Sequence, residues 1–344
     1  MATTAQPAAP LRHSSPRFGM AWVTWRQQRA ALAGACGLLG VMILYMLVTG
    51  LQMRSALSSL GLDTCHPLTA ARCATAVSLF NSDYDIWRND GLVLMQVVPL
   101  FAGVFLGGPL LARELETGTF RFAWTQGTGR TRWVITKLVL VAAAVTAAAG
   151  VTSLVMSWWL APFVAQDWSL MGPNVFALTG IAFPAWTLIA FALGAFAGVA
   201  IRRTVPALAT ALAVWAGLAI TTATTLRWRY QQALTAKGVT AGARVPGNAW
   251  VQTHWTGRGG QPVSLAAFHA LLAQLKGQGP TSQGPTPVTK TLLAQLARHG
   301  YTQSISYQPE SRFWHFQLIE GGWLLALALL LGAATVWLVR HKAA

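Results

Sequence analysis

Charge is the scarcest thing in this chain. Asp, Glu, Lys and Arg make up 10% of its 344 residues, nine of them acidic, against 54% hydrophobic residues. Soluble domains carry about 25% charged residues, so this chain cannot cover a globular surface and needs a bilayer to take part of it. Catalytic signatures are missing as well. No G-x-x-x-x-G-K-[ST] loop is present to cradle nucleotide phosphates, no H-E-x-x-H pair to hold zinc, and no G-x-S-x-G elbow to present a serine. The few acids offer no pair of carboxylates inside an apolar run. The expectation is a chain that is not an enzyme and itself binds no cofactor or metal.

What is abundant is long apolar runs. Residues 30–51, 92–111, 134–160, 175–201, 205–226 and 321–339 each reach the roughly 18 apolar residues that mark a spanning helix. Within them the sole Asp, Glu, Lys or Arg is Lys137, one turn inside the third run, at a depth from which it can snorkel. Ionisable groups inside a membrane mark proton or ion paths. Their scarcity argues against a proton-driven pump, so energy for any transport must enter from outside the membrane. The fold expected is an all-α polytopic membrane protein of six transmembrane helices, with a small α+β extracytoplasmic cap between the fifth and sixth.

More than half of the 25 Lys and Arg fall in 1–29, 112–137, 202–204 and 340–344. The loops 52–91 and 161–174 carry Arg54, Arg72 and Arg88 against Asp63, Asp83, Asp85, Asp90 and Asp167. By the positive-inside rule both termini are cytoplasmic in a plasma membrane. The net charge of +16 therefore follows from topology and does not point to nucleic acid. The chain divides into a cytoplasmic tail with an interfacial helix (1–29), spans one to five (30–226), a cap (227–320), and the sixth span with its tail (321–344). Between the first five spans lie an outer loop, 52–91, and a cytoplasmic loop, 112–133.

Cys65 and Cys73 share the loop 52–91, where an oxidising compartment would let them pair. Cys36 reads as a small packing residue of the first span. In MAWVTWRQQR, Trp22 and Trp25 are three apart, as are Arg26 and Arg29. That pattern suits a helix in the headgroup plane, or simply a basic flank fixing orientation. Asp83, Asp85 and Asp90 lack the glycine turn and distal Glu of a calcium loop and read as a solvated edge. Gly103 and Gly107, and Gly194 and Gly198, have the spacing that permits close helix approach.

In the cap, residues 227–260 read as irregular. Leu265, Phe268, Leu272 and Leu275 then recur at helical intervals, 277–287 is a Gly/Pro linker, and 289–300 is a second short helix closed by Gly300. Residues 301–307 alternate as a strand, with 313–318 returning against it. His254, His269, His299 and His315 are too scattered for metal-ligand spacing. Nine Lys and Arg stand against Glu310 and Glu320 here, a balance that would attract anionic lipids or wall polymers.

The stretch ARELETGTFRFAWTQGTGRTRW, residues 112–133, is a polar island between two apolar runs. The second span should continue a turn through Arg113, Glu114 and Glu116 before Gly118 breaks it. Phe120, Phe122 and Trp124 follow, then Gly127 and Gly129, then Arg130 and Arg132. Exposed rings need a cover, either the headgroups or a groove on a soluble partner. Glu114 and Glu116 favour the partner, because the cytoplasmic leaflet is itself negative.

The order R-E-x-E-x-G-T, a hydrophobic stretch, an arginine, then a lysine entering the third span resembles ATP-binding-cassette (ABC) permeases of the type-2 exporter class. Arg113, Glu114, Glu116, Gly118, Thr119, Arg132 and Lys137 occupy those places, with Gly127 and Gly129 where that family has a proline. WVTWRQQR and YQPESRFWHFQLIEGG resemble an actinobacterial branch of it. The resemblance implies a permease subunit that pairs with a like or unlike permease and recruits ABC ATPase subunits, which carry the ATP and Mg. The loop would be a coupling helix, with Phe120, Phe122 and Trp124 in an ATPase cleft and Glu114 and Glu116 braced by Arg130 or Arg132. The implied function is efflux of an amphipathic or hydrophobic substrate. A complex that senses or clears an extracellular compound through the cap is the alternative, and a membrane enzyme built on the cap's histidines and tyrosines is a distant third.

Overall fold

The structure is a computed structural model. It describes residues 16–65, 71–84, 92–118, 129–165, 169–237, 248–257 and 300–342, with a few positions between 261 and 298. Its helices are α1 (Pro16–Ser59), α2 (Ala71–Asp83), α3 (Leu92–Thr117), α4 (Arg130–Val164), the single turn α5 (Pro173–Phe176), α6 (Ala182–Ile201), α7 (Thr204–Thr221) and α8 (Phe313–Lys342). Six stretches are long and apolar enough to cross a membrane: Cys36–Ser59, Met95–Thr117, Thr131–Val164, Ala182–Ile201, Thr204–Arg229 and Glu310–His341. The chain is a multi-pass membrane protein.

Four of the helices, α1, α3, α4 and α8, are longer than their apolar runs. Residues 16–59 form one unbroken helix, so Trp22, Trp25, Arg26 and Arg29 belong to the same rod as the first span and make no separate helix. At its far end the rod carries Arg54, which donates to the Trp158 carbonyl at 2.6 Å and lies 3.9 Å from the Trp158 ring. Arg54 is thus a helix residue, not a loop residue. Cys65 and Cys73 form a disulfide with a Cα–Cα separation of 5.7 Å. It ties the turn after α1 to α2, whose Phe80 packs 5.7 Å from Phe163 of α4. Cys36 is exposed and free, so it does not serve as interior packing.

The fourth apolar run, 175–201, does not form one span. α5 ends at Phe176 and α6 starts at Ala182, with Gly180 at φ +64 between them. Gln317 of α8 holds the break open. Its amide donates to the Phe176 and Thr179 carbonyls at 3.0 and 3.1 Å and accepts from the Ala182 N–H at 2.7 Å. A side chain cannot replace Gly180, because a Cβ there would fall 2.9 Å from Gln317. Backbone groups released by a break inside a membrane must be satisfied, and one buried glutamine satisfies three of them.

α6 is the centre of the bundle. It packs on α3 along glycines: a Cβ on Gly194 would meet the Gly108 N–H at 2.7 Å, and one on Gly198 the Gly108 carbonyl at 2.7 Å. The two GxxxG spacings therefore face each other, with Gly103 and Gly107 against Phe191 and its neighbours.

The bundle has two ends. At the first, α3 stops before residues 119–128, which lie outside the described residues, and α4 begins after them. Trp133 and Val134 of α4 cluster there with Val339 of α8. At the other end stands a three-stranded antiparallel sheet in the order β1 (Leu234–Lys237), β3 (Thr302–Gln308), β2 (Trp250–Thr256). These ends are called the loop end and the sheet end below. The sheet corrects two expectations for 227–320. Residues 234–237 and 250–256 are strands rather than irregular chain, and 313–318 opens α8 instead of returning against β3. Phe313, Phe316, Gln317 and Glu320 are all buried, which is helical spacing, and an alternating strand would have exposed half of them. Phe268 is buried and stacks on Trp255 at 4.3 Å. Leu265, Leu272, Leu275 and the linker 277–287 lie outside the described residues.

Candidate functional site

Two polar clusters interrupt the apolar bundle, one at each end. At the loop end, α3 carries Arg113, Glu114 and Glu116 in its last turn, and Gly118 follows at φ +71. The left-handed conformation at Gly118 ends the helix at low cost, as glycine does after a C-cap. Glu114 is paired with Lys137 of α4, whose side chain is 3% exposed and lies 4.8 Å from the Trp133 ring. Glu116 reaches a different helix. Its carboxylate accepts from the Thr204 N–H at 3.1 Å and the Thr204 hydroxyl at 2.8 Å. Thr204 is the first residue of α7, so Glu116 satisfies an otherwise orphaned amide and meets the positive end of that helix dipole.

These two carboxylates gather α3, α4 and α7 around the mouth of the loop. Among the described side chains, Lys137 meets Glu114 and Thr204 meets Glu116. Arg130 begins α4 and Arg132 is exposed. Thr119, Phe120, Phe122 and Trp124 lie outside the described residues.

At the sheet end, Glu320 of α8 is fully buried and accepts four hydrogen bonds. Arg227 gives two, from Nε and Nη2 at 2.8 Å each; Trp186 Nε1 gives one at 2.8 Å and the Tyr230 hydroxyl one at 3.2 Å. Trp323 Nε1 in turn donates to the Tyr230 oxygen at 2.9 Å. Arg227, 2% exposed, covers the Phe176 ring at 4.4 Å. Burial, and after it the Glu320 charge, hold the Tyr230 hydroxyl above its ordinary range, so it stays a donor. A cavity of about 50 Å³ adjoins Arg227, lined by Gln96, Pro99, Trp186 and Trp215.

Sequence reasoning missed this cluster. Arg227 and Glu320 each sit one residue outside an apolar run, and a charge at the end of a span ordinarily reads as a solvated flank. The available signal was the aromatic company: Trp186, Tyr230 and Trp323 each bring one polar atom to an otherwise apolar surface. Among the described residues no group of three His, Cys, Asp or Glu could hold a metal ion. His254 and His315 are exposed, and His269 and His299 lie outside the described side chains.

No curated protein and no solved structure matches the chain. A family model described as ABC-2 membrane transporter related matches residues 36–227, which runs from the first span to Arg227 and takes in the whole loop-end cluster. With more than half of its length matched and six apolar spans around that cluster, the chain belongs to the ABC-2 membrane transporter related family and is a transport permease subunit.

Proposed function

We propose that the chain is the membrane subunit of an ATP-driven exporter of the actinobacterial branch, with the loop end and both termini in the cytoplasm and the sheet outside. A separate ABC ATPase subunit binds ATP and Mg and receives the tip of the loop 112–133 in a cleft. Phe120, Phe122 and Trp124 fill that cleft, and a second permease, like or unlike this one, completes the transporter. The cargo is amphipathic or hydrophobic. The observation that supports this most is the double clamp of Glu114 on Lys137 and Glu116 on Thr204. A loop used as a lever must be rooted in more than one helix, and this one is rooted in three.

The test is co-purification from native membranes with an ATPase that carries a G-x-x-x-x-G-K-[ST] loop. Phe122→Asp with Trp124→Asp should release that ATPase and stop transport. If the ATPase remains bound and transport continues, the coupling role is wrong.

The family match ends at residue 227, leaving the sheet and α8 outside it. That favours, as a second reading, a complex that senses or clears an extracellular compound through 227–320. Deleting the segment between β1 and β3 separates the two, because ATP-driven transport would persist and sensing would vanish.

A further inference from the structure

Between α4 and α8, floored by α6, runs an apolar groove of about 240 Å³. Ile135, Val139 and Ala142 line one wall, and Leu329, Gly332 and Val336 the other. A dry cavity of about 150 Å³ already accepts a benzene-sized guest, so this one has room for a length of alkyl chain. Ile135, Val139 and Leu329 are exposed, which leaves the groove open to the lipid.

The mouth of the groove is charged. On α4, Arg132 continues the face of Ile135, Val139 and Ala142 at steps of three and four residues. On α8, Arg340 continues the face of Leu329, Ala333 and Val336 in the same way. At 1.5 Å per residue the two arginines lie only about 4.5 and 6 Å beyond the nearest groove residues. Their neighbours Trp133 and Val339 pack in one cluster, so both arginines come to the same end of the bundle. Both are exposed, and neither has an ion-pair partner among the described residues. Trp337, 54% exposed on the same turn as Arg340, is the kind of ring that marks headgroup depth.

We propose that this groove is a binding site for one anionic phospholipid from the leaflet at the loop end. One acyl chain fills the groove, and the phosphate lies between Arg132 and Arg340. A neutral apolar guest would use the walls but leave the two cations at the mouth without a role. The site does not depend on the transport reading.

The full chain, reconstituted in nanodiscs of equimolar phosphatidylglycerol and phosphatidylcholine, is extracted and its retained lipid identified by native mass spectrometry. Phosphatidylglycerol should be retained in preference to phosphatidylcholine. An arginine near a membrane surface adds about a fivefold preference for anionic lipid, so R132Q with R340Q should lower the ratio by about five- to twenty-five-fold. Gly332→Leu should empty the groove of phosphatidylglycerol. A Cβ at Gly332 meets nothing within 4 Å, so the backbone has no reason to shift. The surface arginine pair serves equally if that variant does not fold. Equal retention of the two lipids, or a ratio that neither variant moves, overturns the proposal. So does a Gly332→Leu chain that loses transport of a hydrophobic dye with its phosphatidylglycerol unchanged, which would make the cargo the occupant.

Discussion

Replacing Glu320 by leucine separates two costs that the sheet-end cluster combines. Glu320 is wholly buried and takes two hydrogen bonds from Arg227, one from Trp186 and one from Tyr230. Without it, the Arg227 guanidinium stays buried with only the Pro173 carbonyl, at 3.4 Å. Breaking a buried pair from one side costs about 3–5 kcal/mol, whereas replacing both partners by apolar residues is often neutral. The Trp186 N–H is also orphaned, at about 1–3 kcal/mol. The Tyr230 hydroxyl keeps the bond it accepts from Trp323 but loses its own acceptor, and because it is only part-buried it can donate to water instead. Glu320→Leu should therefore lose roughly 4–8 kcal/mol, and Glu320→Leu with Arg227→Met only the indole share of it, about 1–3 kcal/mol. Thermal unfolding in detergent, followed by size-exclusion of the heated protein, ranks the three chains: wild type, then the double variant, then the single. A double variant that melts with or below the single one refutes the reasoning, because Arg227 would then not be the source of the loss.

The loop-end pair should respond asymmetrically. Glu114→Gln strands Lys137, whose side chain is 3% exposed, whereas Lys137→Met strands a carboxylate that is 19% exposed and can hydrate. The first should melt several degrees below the second, near the upper part of the about 3–5 kcal/mol expected for a broken buried pair, and equal melting temperatures would contradict it. Gly194→Ala places a methyl 2.7 Å from the Gly108 amide. Overpacking of this kind costs about 1–3 kcal/mol, so a lower melting temperature is expected, while Gly217→Ala, which meets nothing within 4 Å, should be neutral.

The six spans were legible because bilayer thickness imposes a length, and length is a property of the sequence alone. The glycine spacings of α3 and α6 were legible as a possibility, since small residues permit close approach without naming a partner. Other features depend on residues far apart in the chain. Nothing in 175–201 announces the break at Gly180, because the group that satisfies it is Gln317, 135 positions beyond Ala182. Arg227 and Glu320 count among the cap's charges in the sequence, because burial is decided by neighbouring helices, not by distance from the end of an apolar run. Residues 313–318 were misread because a short aromatic segment fits period two as readily as 3.6. At the polar island Glu114 and Glu116 tie the end of α3 to Lys137 and Thr204. Their partners could not be chosen from sequence, because Lys137 and Thr204 become neighbours of α3 only once α4 and α7 have packed.

The two clusters lie at opposite ends of one mechanical unit. α3 and α6 approach so closely along their glycines that neither can slide without a backbone clash, and packed interiors transmit such displacements instead of absorbing them. At the loop end α3 is clamped to α4 and α7. At the sheet end α6 begins at a break held by Gln317, and its Trp186 is bonded to Glu320 one helical turn further along α8. A push on residues 112–133, as the proposed coupling requires, would travel through α3 and α6 to these α8 contacts. The broken fourth span is the place where that motion can be taken up, because a turn at Gly180 bends more readily than a continuous helix. On this reasoning Gln317 and Glu320 would move with the proposed coupling loop, although they lie at the other end of the bundle.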